Sequence, residues 1–171
     1  MQRPLRRDIV VFDRALALSE LTDSRQRTVY DYWQEKRKDR RMPARADLLP
    51  EDIGPSLGVV NLIDVTGPPW RFRFRLLGTE VVEAYGEDLT GQDAARVQPP
   101  SYAEVLLRQY AEVAEGAVPM LHELTFELVR ERHSFTRLTL PLSADGERVN
   151  MLLCVSAFDA KFRRRALEHR D

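Results

Sequence analysis

The sequence contains one cysteine, Cys154, among its 171 residues. A single cysteine cannot form an internal disulfide, and it cannot supply a cysteine-based zinc site. The apolar run near the amino terminus, residues 9–12, is too short for a signal-peptide core or a membrane span. We therefore expect a cytoplasmic protein without a membrane-spanning segment.

An excess of charge of one sign is also missing. The chain has 26 Lys and Arg against 27 Asp and Glu, a formal net charge of -1 that arises because basic ends cancel an acidic middle. Without an overall basic excess, nucleic-acid binding is not expected. The length is typical of one domain and excludes a large multidomain enzyme.

Familiar catalytic and metal-binding patterns are absent from the sequence. There is no G-x-S-x-G, no P-loop and no G-x-G-x-x-G run. The three histidines, His122, His133 and His169, have no paired metal-ligand spacing, so no metal site is predicted. An enzyme on a cone-shaped α+β fold, with a pocket that holds an acidic base, remains an alternative.

The amino-terminal third predicts an arm and a helix. Residues 1–22 carry no clean hydrophobic period, which indicates an arm that is either mobile or partly helical. Asp23 or Ser24 can cap a helix that reaches about residue 39. Its apolar stripe is narrow, so we expect it to face a partner or a second copy of the chain. The candidate interface residues are Val29, Tyr30 and Trp33.

The rest of the chain alternates between strand and helix signals. Residues 59–65 and 70–77 predict two antiparallel strands, the second with apolar residues on one face and Arg71, Arg73 and Arg75 on the other. A short helix from Thr79 should end at Gly86, and Ser101 begins a capping-box pattern for a longer helix up to Gly116. Three strands over 121–131, 134–142 and 149–158 follow, with a tight hairpin expected at 145–146. The predicted segments are an arm (1–22), a helix with a Pro-rich connector (23–58), a core (59–158) and a basic tail (159–171).

Several short motifs occur in this order of elements. The run YGEDLTG at 85–91 lies between a strand pair and a helix followed by three strands. The other motifs are YW at 32–33, MPARAD at 42–47, P-x-D-I at 50–53 and F-R-x-R-L-x-G-T at 72–79. This pattern resembles the PAS domain, and it is similar to a bacterial single-domain PAS family once classed as a domain of unknown function. The resemblance covers about residues 24–158.

The resemblance implies a fold and a general role. We expect an α+β protein with a five-stranded antiparallel sheet, helices packed on one face and an N-terminal helical extension. Its role would be that of a non-catalytic sensory or regulatory module. Because the chain leaves no room for an output domain, a signal would pass in trans, to a protein partner or within a homodimer.

The resemblance implies that a ligand pocket lies between the sheet and the helices of residues 79–115, where PAS ligands generally bind. The candidate lining residues are Phe74, Tyr85, Tyr110, Phe126 and Leu140. The cofactor is unknown. Haem is not expected because residues 81–115 contain neither His nor Cys, and a flavin adduct is not expected because Cys154 lies mid-strand without a basic neighbour.

Arginines suggest a further alternative, an anion- or cyclic-dinucleotide-binding regulator. The connector contains Arg41 and Arg45, and an arginine fork matches phosphate oxygens. The strand row of Arg71, Arg73 and Arg75 is better explained as a solvated face with cross-strand ion pairs, for which Glu123, Glu127 and Glu131 are the expected partners.

Overall fold

The computed structural model describes residues 10–128 and 131–159 and shows an α+β architecture, as predicted. The strands are β1 (Val10–Leu16), β2 (Val60–Thr66), β3 (Arg71–Leu77), β4 (Met120–Leu128), β5 (Glu131–Leu142) and β6 (Met151–Phe158). The α-helices are α1 (Ser24–Arg37), α2 (Thr79–Tyr85) and α3 (Pro100–Gly116). The strands form one antiparallel sheet in the order β1-β4-β5-β6-β2-β3.

The sheet has six strands rather than the expected five, because part of the predicted arm joins it. Residues 10–16 pair antiparallel with β4, with Val11 opposite Phe126 and Leu16 opposite Leu121. The prediction of a mobile or partly helical segment is therefore wrong for these residues. Pairing with β4 satisfies backbone donors and acceptors that a free arm would leave to water. Residues 1–9 and the predicted basic tail after Asp159 lie outside the described residues.

We call the face of the sheet that carries α2 and α3 the inner face. The apolar stripe of α3 is buried there, through Tyr102, Leu106, Tyr110 and Val113. The predicted capping box is not formed, since α3 begins at Pro100 after Pro99 and no side chain caps it. Proline suits the first helical position because its ring fixes φ and it has no N–H to leave unpaired.

The opposite face, the outer face, is covered by α1 and the connector. The Asp23 carboxylate accepts a hydrogen bond from the Gln26 amide at 2.9 Å, which caps α1 as predicted. Val29 and Trp33 are buried in the core, and the Trp33 indole donates to the Pro141 carbonyl at 2.9 Å. These two residues are therefore not available to a partner, because the narrow stripe of α1 packs on the chain's own sheet. Tyr30 is half-buried and stacks on Trp33.

The MPARAD motif of the connector is explained by its contacts on the outer face. Met42 is fully buried, and the Pro43 carbonyl accepts a hydrogen bond from the Ser143 amide at 3.0 Å. The Asp47 carboxylate accepts from the Ala44 amide at 2.8 Å and closes a 3-10 turn at Arg45–Asp47. The motif thus ties the connector to the loop that follows β5.

A glycine fixes the approach of the connector to the sheet. The Gly78 amide donates to the Val60 carbonyl at 2.8 Å. A Cβ atom at Gly78 would lie 2.4 Å from the Gly58 carbonyl oxygen, a distance that no side chain tolerates. The glycine of the F-R-x-R-L-x-G-T motif is therefore required by close contact between two backbone segments.

Strand β3 exposes its arginines as predicted, but their expected acidic partners are wrong. Arg75 pairs with Asp64 on β2 at 3.4 Å. Strand β4 is separated from β3 by three other strands in the sheet, so Glu123 does not face the β3 arginines. It pairs instead with Arg14 on the neighbouring strand β1 at 2.9 Å. A register shift in the β2–β3 ladder also places Leu76 in an exposed position on the outer face.

The connection between β5 and β6 is longer than the predicted tight hairpin. It spans residues 143–150, with Gly146 in the left-handed region at φ +83°. The Asp145 carboxylate accepts hydrogen bonds from the Glu147 and Arg148 amides. The turn residues were correctly located, but the carboxylate organises a loop rather than a two-residue turn.

Candidate functional site

The inner face contains a buried cation, the guanidinium of Arg137 on β5. Arg137 is 1% exposed. It donates one hydrogen bond to the Gln109 side-chain carbonyl at 3.0 Å and another to the Tyr102 hydroxyl at 2.5 Å. Within residues 10–128 and 131–159, no carboxylate lies within ion-pair distance of it. The charge of Arg137 is thus met by neutral groups.

Aromatic rings supply part of that compensation. The guanidinium carbon lies 5.7 Å from the ring centroids of Tyr102, Tyr110 and Phe135. Each distance falls within the range of a cation–π interaction, which is strongest where water is excluded. Three such contacts make a buried arginine tolerable, but they provide no counter-charge.

The guanidinium remains protonated in this environment. Burial acts to lower the pKa of Arg137, but the surrounding tyrosines outweigh that effect and raise it above its ordinary value. Burial also raises the pKa values of Tyr85 and Tyr110 well above the usual range, so both phenols are neutral. The site therefore carries a net positive charge, and an isolated buried charge is costly in free energy.

Strand β1 helps to position Arg137 through α3. The Asp13 carboxylate accepts hydrogen bonds from Gln109 at 3.0 Å and from Arg108 at 2.6 Å. Because the Gln109 amide nitrogen is engaged by Asp13, its oxygen is directed at Arg137. Burial acts to raise the pKa of Asp13, but these hydrogen bonds overcome it and the pKa is lowered. The ionised Asp13 carboxylate thus acts on Arg137 indirectly, through Gln109.

His122 on β4 lies directly opposite Arg137 in the β4–β5 ladder. Its Nε2 atom is 3.5 Å from Glu112 on α3, and its Nδ1 atom is buried without a hydrogen-bond partner. Burial lowers the pKa of His122, and Arg137 adds to that effect against the opposing influence of Glu112. A neutral imidazole therefore borders the buried cation at neutral pH.

Four of the five predicted pocket residues meet in this region. Phe74 contacts Tyr85 with ring centroids 6.3 Å apart, and Phe126 packs on Tyr102 at 5.1 Å. Tyr110 contacts both Phe72 and the Arg137 guanidinium. Aromatic rings thus occupy the space between the sheet and the helices.

The fifth predicted pocket residue, Leu140, is on the wrong face. It lies opposite Leu153 on β6, whereas the hydroxyl oxygen of its neighbour Thr139 accepts from the Cys154 thiol on the inner face at 3.8 Å. Because successive side chains of a strand point to opposite faces, Leu140 belongs to the outer face. The sequence pattern could not show this, because both faces of β5 are covered.

Two further polar atoms beside the cluster are buried without a hydrogen-bond partner among the described residues. They are the Tyr110 hydroxyl, which lies next to the Cys154 thiol, and the side-chain oxygen of Asn61 on β2. Burial raises the pKa of the Cys154 thiol. Cys154 is a mid-strand residue, as predicted, and a buried protonated thiol is a poor nucleophile.

The sequence reasoning missed Tyr102, Gln109 and Arg137. In the sequence, Tyr102 falls in an apolar stripe of α3, and Gln109 and Arg137 match no binding motif. One signal was available: Arg137 lies between Phe135 and Thr139 on the same face of a strand whose opposite face is occupied by leucines. A strand with apolar residues on both sides of its pleat is covered on both faces of the sheet. A charged residue within such a strand is therefore expected to be buried.

The two predicted anion-binding arginines of the connector do not converge. Arg41 is exposed and donates weakly to the Gly116 carbonyl at 3.5 Å. Arg45 is half-buried and donates to the Leu48 carbonyl at 2.8 Å. The structure thus brings neither to the Arg137 cluster.

Fully buried carboxylates and clustered metal ligands are missing from the described part of the chain. Among the described residues, no Asp or Glu is fully buried, and no group of three or more His, Cys, Asp or Glu is arranged to hold a metal ion. What the inner-face cluster offers chemically is a guanidinium, the Tyr102 hydroxyl and aromatic faces. Such groups can bind an anion.

Comparison with protein families identifies the class. The family model described as PAS domain matches residues 21–156, more than half of the chain, and the chain therefore belongs to the PAS domain family. A search of curated proteins gave no match. PAS domains serve in general as sensory or regulatory modules and are typically non-catalytic. In the described part of the chain, no helix is long and apolar enough to cross a membrane.

Proposed function

We propose that this PAS domain is a non-catalytic regulatory module that binds a small carboxylate-bearing ligand at Arg137 and signals in trans. The single observation that carries the proposal is a fully buried guanidinium with no carboxylate partner among the described residues. A bound anion would neutralise a charge whose burial is otherwise costly.

The geometry favours a carboxylate on an aromatic or otherwise flat body. A guanidinium presents paired N–H donors that match the two oxygens of a carboxylate. Tyr102 now occupies one of these donors, and a phenol is a weaker acceptor than a carboxylate. The surrounding rings of Tyr85, Tyr110 and Phe126 would pack against a flat ligand after Tyr102 turns aside.

Displacement of the Tyr102 hydroxyl from Arg137 by a ligand also provides a route for the signal. Tyr102 and Gln109, the two hydrogen-bond acceptors of Arg137, both belong to α3. A ligand that takes Arg137 from these acceptors weakens the attachment of α3 to the sheet. The two states differ in how α3 is held, which is a differential contact of the kind that a ligand-driven switch requires. A homodimer or a protein partner would then read the position of α3.

Absence of catalysis is part of the proposal. A proton-transfer enzyme on a cone-shaped α+β fold would place an acidic base in its pocket, whereas Arg137 is surrounded by neutral phenols and the inner-face carboxylate of Asp13 is held by Arg108 and Gln109. Arg137 with a pKa above its ordinary value is also a poor base. These features support binding without turnover.

Calorimetric titration with benzoate, a flat monocarboxylate, tests the proposal. Arg137→Met keeps side-chain volume and removes the charge, a replacement that buried ions often tolerate. We expect benzoate to bind the parent and to lose affinity by about tenfold or more in Arg137→Met. Arg132→Met, which removes an exposed arginine from the same strand, is the matched control and should bind as the parent does. Equal affinity in Arg137→Met, or no binding by the parent, would refute the proposal.

A further inference from the structure

A second concave site lies on the outer face, beneath the connector. Its volume is about 330 Å³, near the lower end of the roughly 300–1,000 Å³ typical of small-molecule pockets. The roof comes from residues 45–58 of the connector, and the floor comes from β2, β3 and β6. The floor residues are Val60, Leu62, Leu76, Leu77 and Leu153. The inner-face cluster lies on the other side of the sheet.

The lining of this cavity is apolar and partly open to water. Leu49, Leu57 and Leu76 all line it, with exposed fractions of 48%, 37% and 44%. They account for three of the five large apolar side chains that are exposed in the described chain. Scattered exposed leucines need no explanation, but three around one cavity form a patch that typically marks a binding site.

One charged side chain, Arg45, lines the cavity. Neighbouring arginines on the same face have ion-pair partners: Arg25 pairs with Glu80 at 2.7 Å and Arg40 pairs with Asp47 at 2.8 Å. Arg45 donates to the Leu48 carbonyl only, and no carboxylate among the described residues pairs with it. Its guanidinium therefore keeps donors available for an anionic group at the wall of a cavity whose other lining residues, apart from Thr79, are apolar or glycine.

We propose that this cavity binds a single-chain monocarboxylate, with the alkyl chain against the leucines and the carboxylate on Arg45. At about 330 Å³ the cavity is near the lower end of small-molecule pockets, which suits a short straight-chain acid such as one of about eight carbons. The proposal is independent of the ligand site at Arg137, which faces the opposite side of the sheet.

Occupancy of the cavity would join the connector to the sheet. Arg45 belongs to the connector, whereas Leu62 and Leu153 belong to adjacent strands β2 and β6. A ligand that contacts all three buries apolar surface on both layers at once. We expect bound acid to stabilise the N-terminal extension against the core.

Titration with octanoate, with 1-octanol as the uncharged probe of similar length, tests the site. The parent should bind octanoate more tightly than octanol. Arg45→Gln should weaken octanoate binding by about tenfold or more and leave octanol binding unchanged, because only the charge-assisted hydrogen bonds are removed. Arg41→Gln, a change at an exposed arginine of the same connector that does not line the cavity, should bind both probes as the parent does.

A second variant separates the apolar requirement from the charge. Leu76→Trp enlarges an exposed rim residue without disturbing the core, and it should reduce binding of both probes. Arg137→Met should bind octanoate as the parent does, so that failure at one site is distinguished from failure at the other. Equal octanoate affinity in the parent and Arg45→Gln, or no octanoate binding by the parent, would overturn the proposal. The proposal would also be overturned if the parent sediments as a dimer and Leu76→Trp sediments as a monomer. The occupant of the cavity would then be a second copy of the chain.

Discussion

Trp33 shows how a residue assigned to a partner surface can belong to the core. Its side chain is 2% exposed, and its indole nitrogen donates to the Pro141 carbonyl of β5. The narrow stripe on α1 was correctly read from the sequence. The stripe packs on the outer face of the chain's own sheet. An apolar stripe in the sequence does not indicate whether the surface that covers it belongs to the same chain or to another.

This placement changes what a mutation of Trp33 should do. Trp33→Ala should lower the free energy of unfolding by about 3–5 kcal/mol, because it leaves a cavity and an unpaired carbonyl. Urea denaturation measures the change. Phe12→Ala, at an exposed apolar residue of β1, should cost less than about 1 kcal/mol. A loss for Trp33→Ala as small as that of the control would contradict the core assignment.

His122 makes the stability of the fold depend on pH. Burial and Arg137 lower the pKa of His122 below its ordinary value of 6.5. The unfolded chain then takes up a proton at a higher pH than the folded chain does, so stability falls as the pH drops through about 6.5. His122→Gln should remove this part of the loss between pH 7.5 and pH 5.5. Urea titrations of both proteins at the two pH values provide the measurement, and an unchanged difference between the pH values would show that His122 does not contribute.

Strand β1 was not predicted from the sequence, because a charged residue interrupts its apolar alternation. The segment VVFDRAL places an aspartate, Asp13, on the inner face, where an alternating pattern would require an apolar residue. That aspartate is satisfied by Arg108 and Gln109 of α3, 95 and 96 residues further along the chain. Contacts of this range leave no local periodicity. The strands and helices with their own apolar period, α1, α3 and β2 to β6, were predicted.

The outer cavity was unpredictable for a related reason. Its roof is a Pro-rich connector. Such a segment has no regular spacing of apolar residues from which the surface that it covers could be predicted. Arg45 was identified as an anion-binding candidate from residue type alone. Its position at the edge of a leucine-lined cavity depends on how the connector packs on β2, β3 and β6.

Strand β1 should matter for the Arg137 site as well as for stability. Asp13→Ala removes the carboxylate that orients Gln109, so it should lower the free energy of unfolding by about 1.5–3 kcal/mol and weaken benzoate binding. Glu123→Ala breaks an exposed ion pair of β4 with β1 on the outer face and should cost about 1 kcal/mol or less. Denaturation and calorimetry on both variants measure these effects. Equal losses in the two variants would mean that Asp13 merely holds the strand in place.

At the scale of the whole molecule, one sheet separates the two proposed sites, which differ in their chemistry. Strand β6 contributes to both, because Leu153 lines the outer cavity and Cys154 lies beside Tyr110 on the inner face. The family and the antiparallel α+β architecture were correctly predicted from short motifs around the turns. The buried arginine was not, because its partners come from α3 and its charge has no carboxylate to mark it. A homodimer and signalling in trans remain predictions.

The most direct test of the account is an ¹⁵N NMR measurement of the Arg137 guanidinium during titration of the full chain with benzoate. The Nε resonance is assigned by its absence from the spectrum of Arg137→Met. We predict a saturable shift of this resonance, with changes in the amide resonances of Tyr102 and Gln109 at the same benzoate concentrations. A resonance that stays unmoved while benzoate binds elsewhere, or no saturable change at any position, would contradict the claim that Arg137 is the ligand site of this PAS domain.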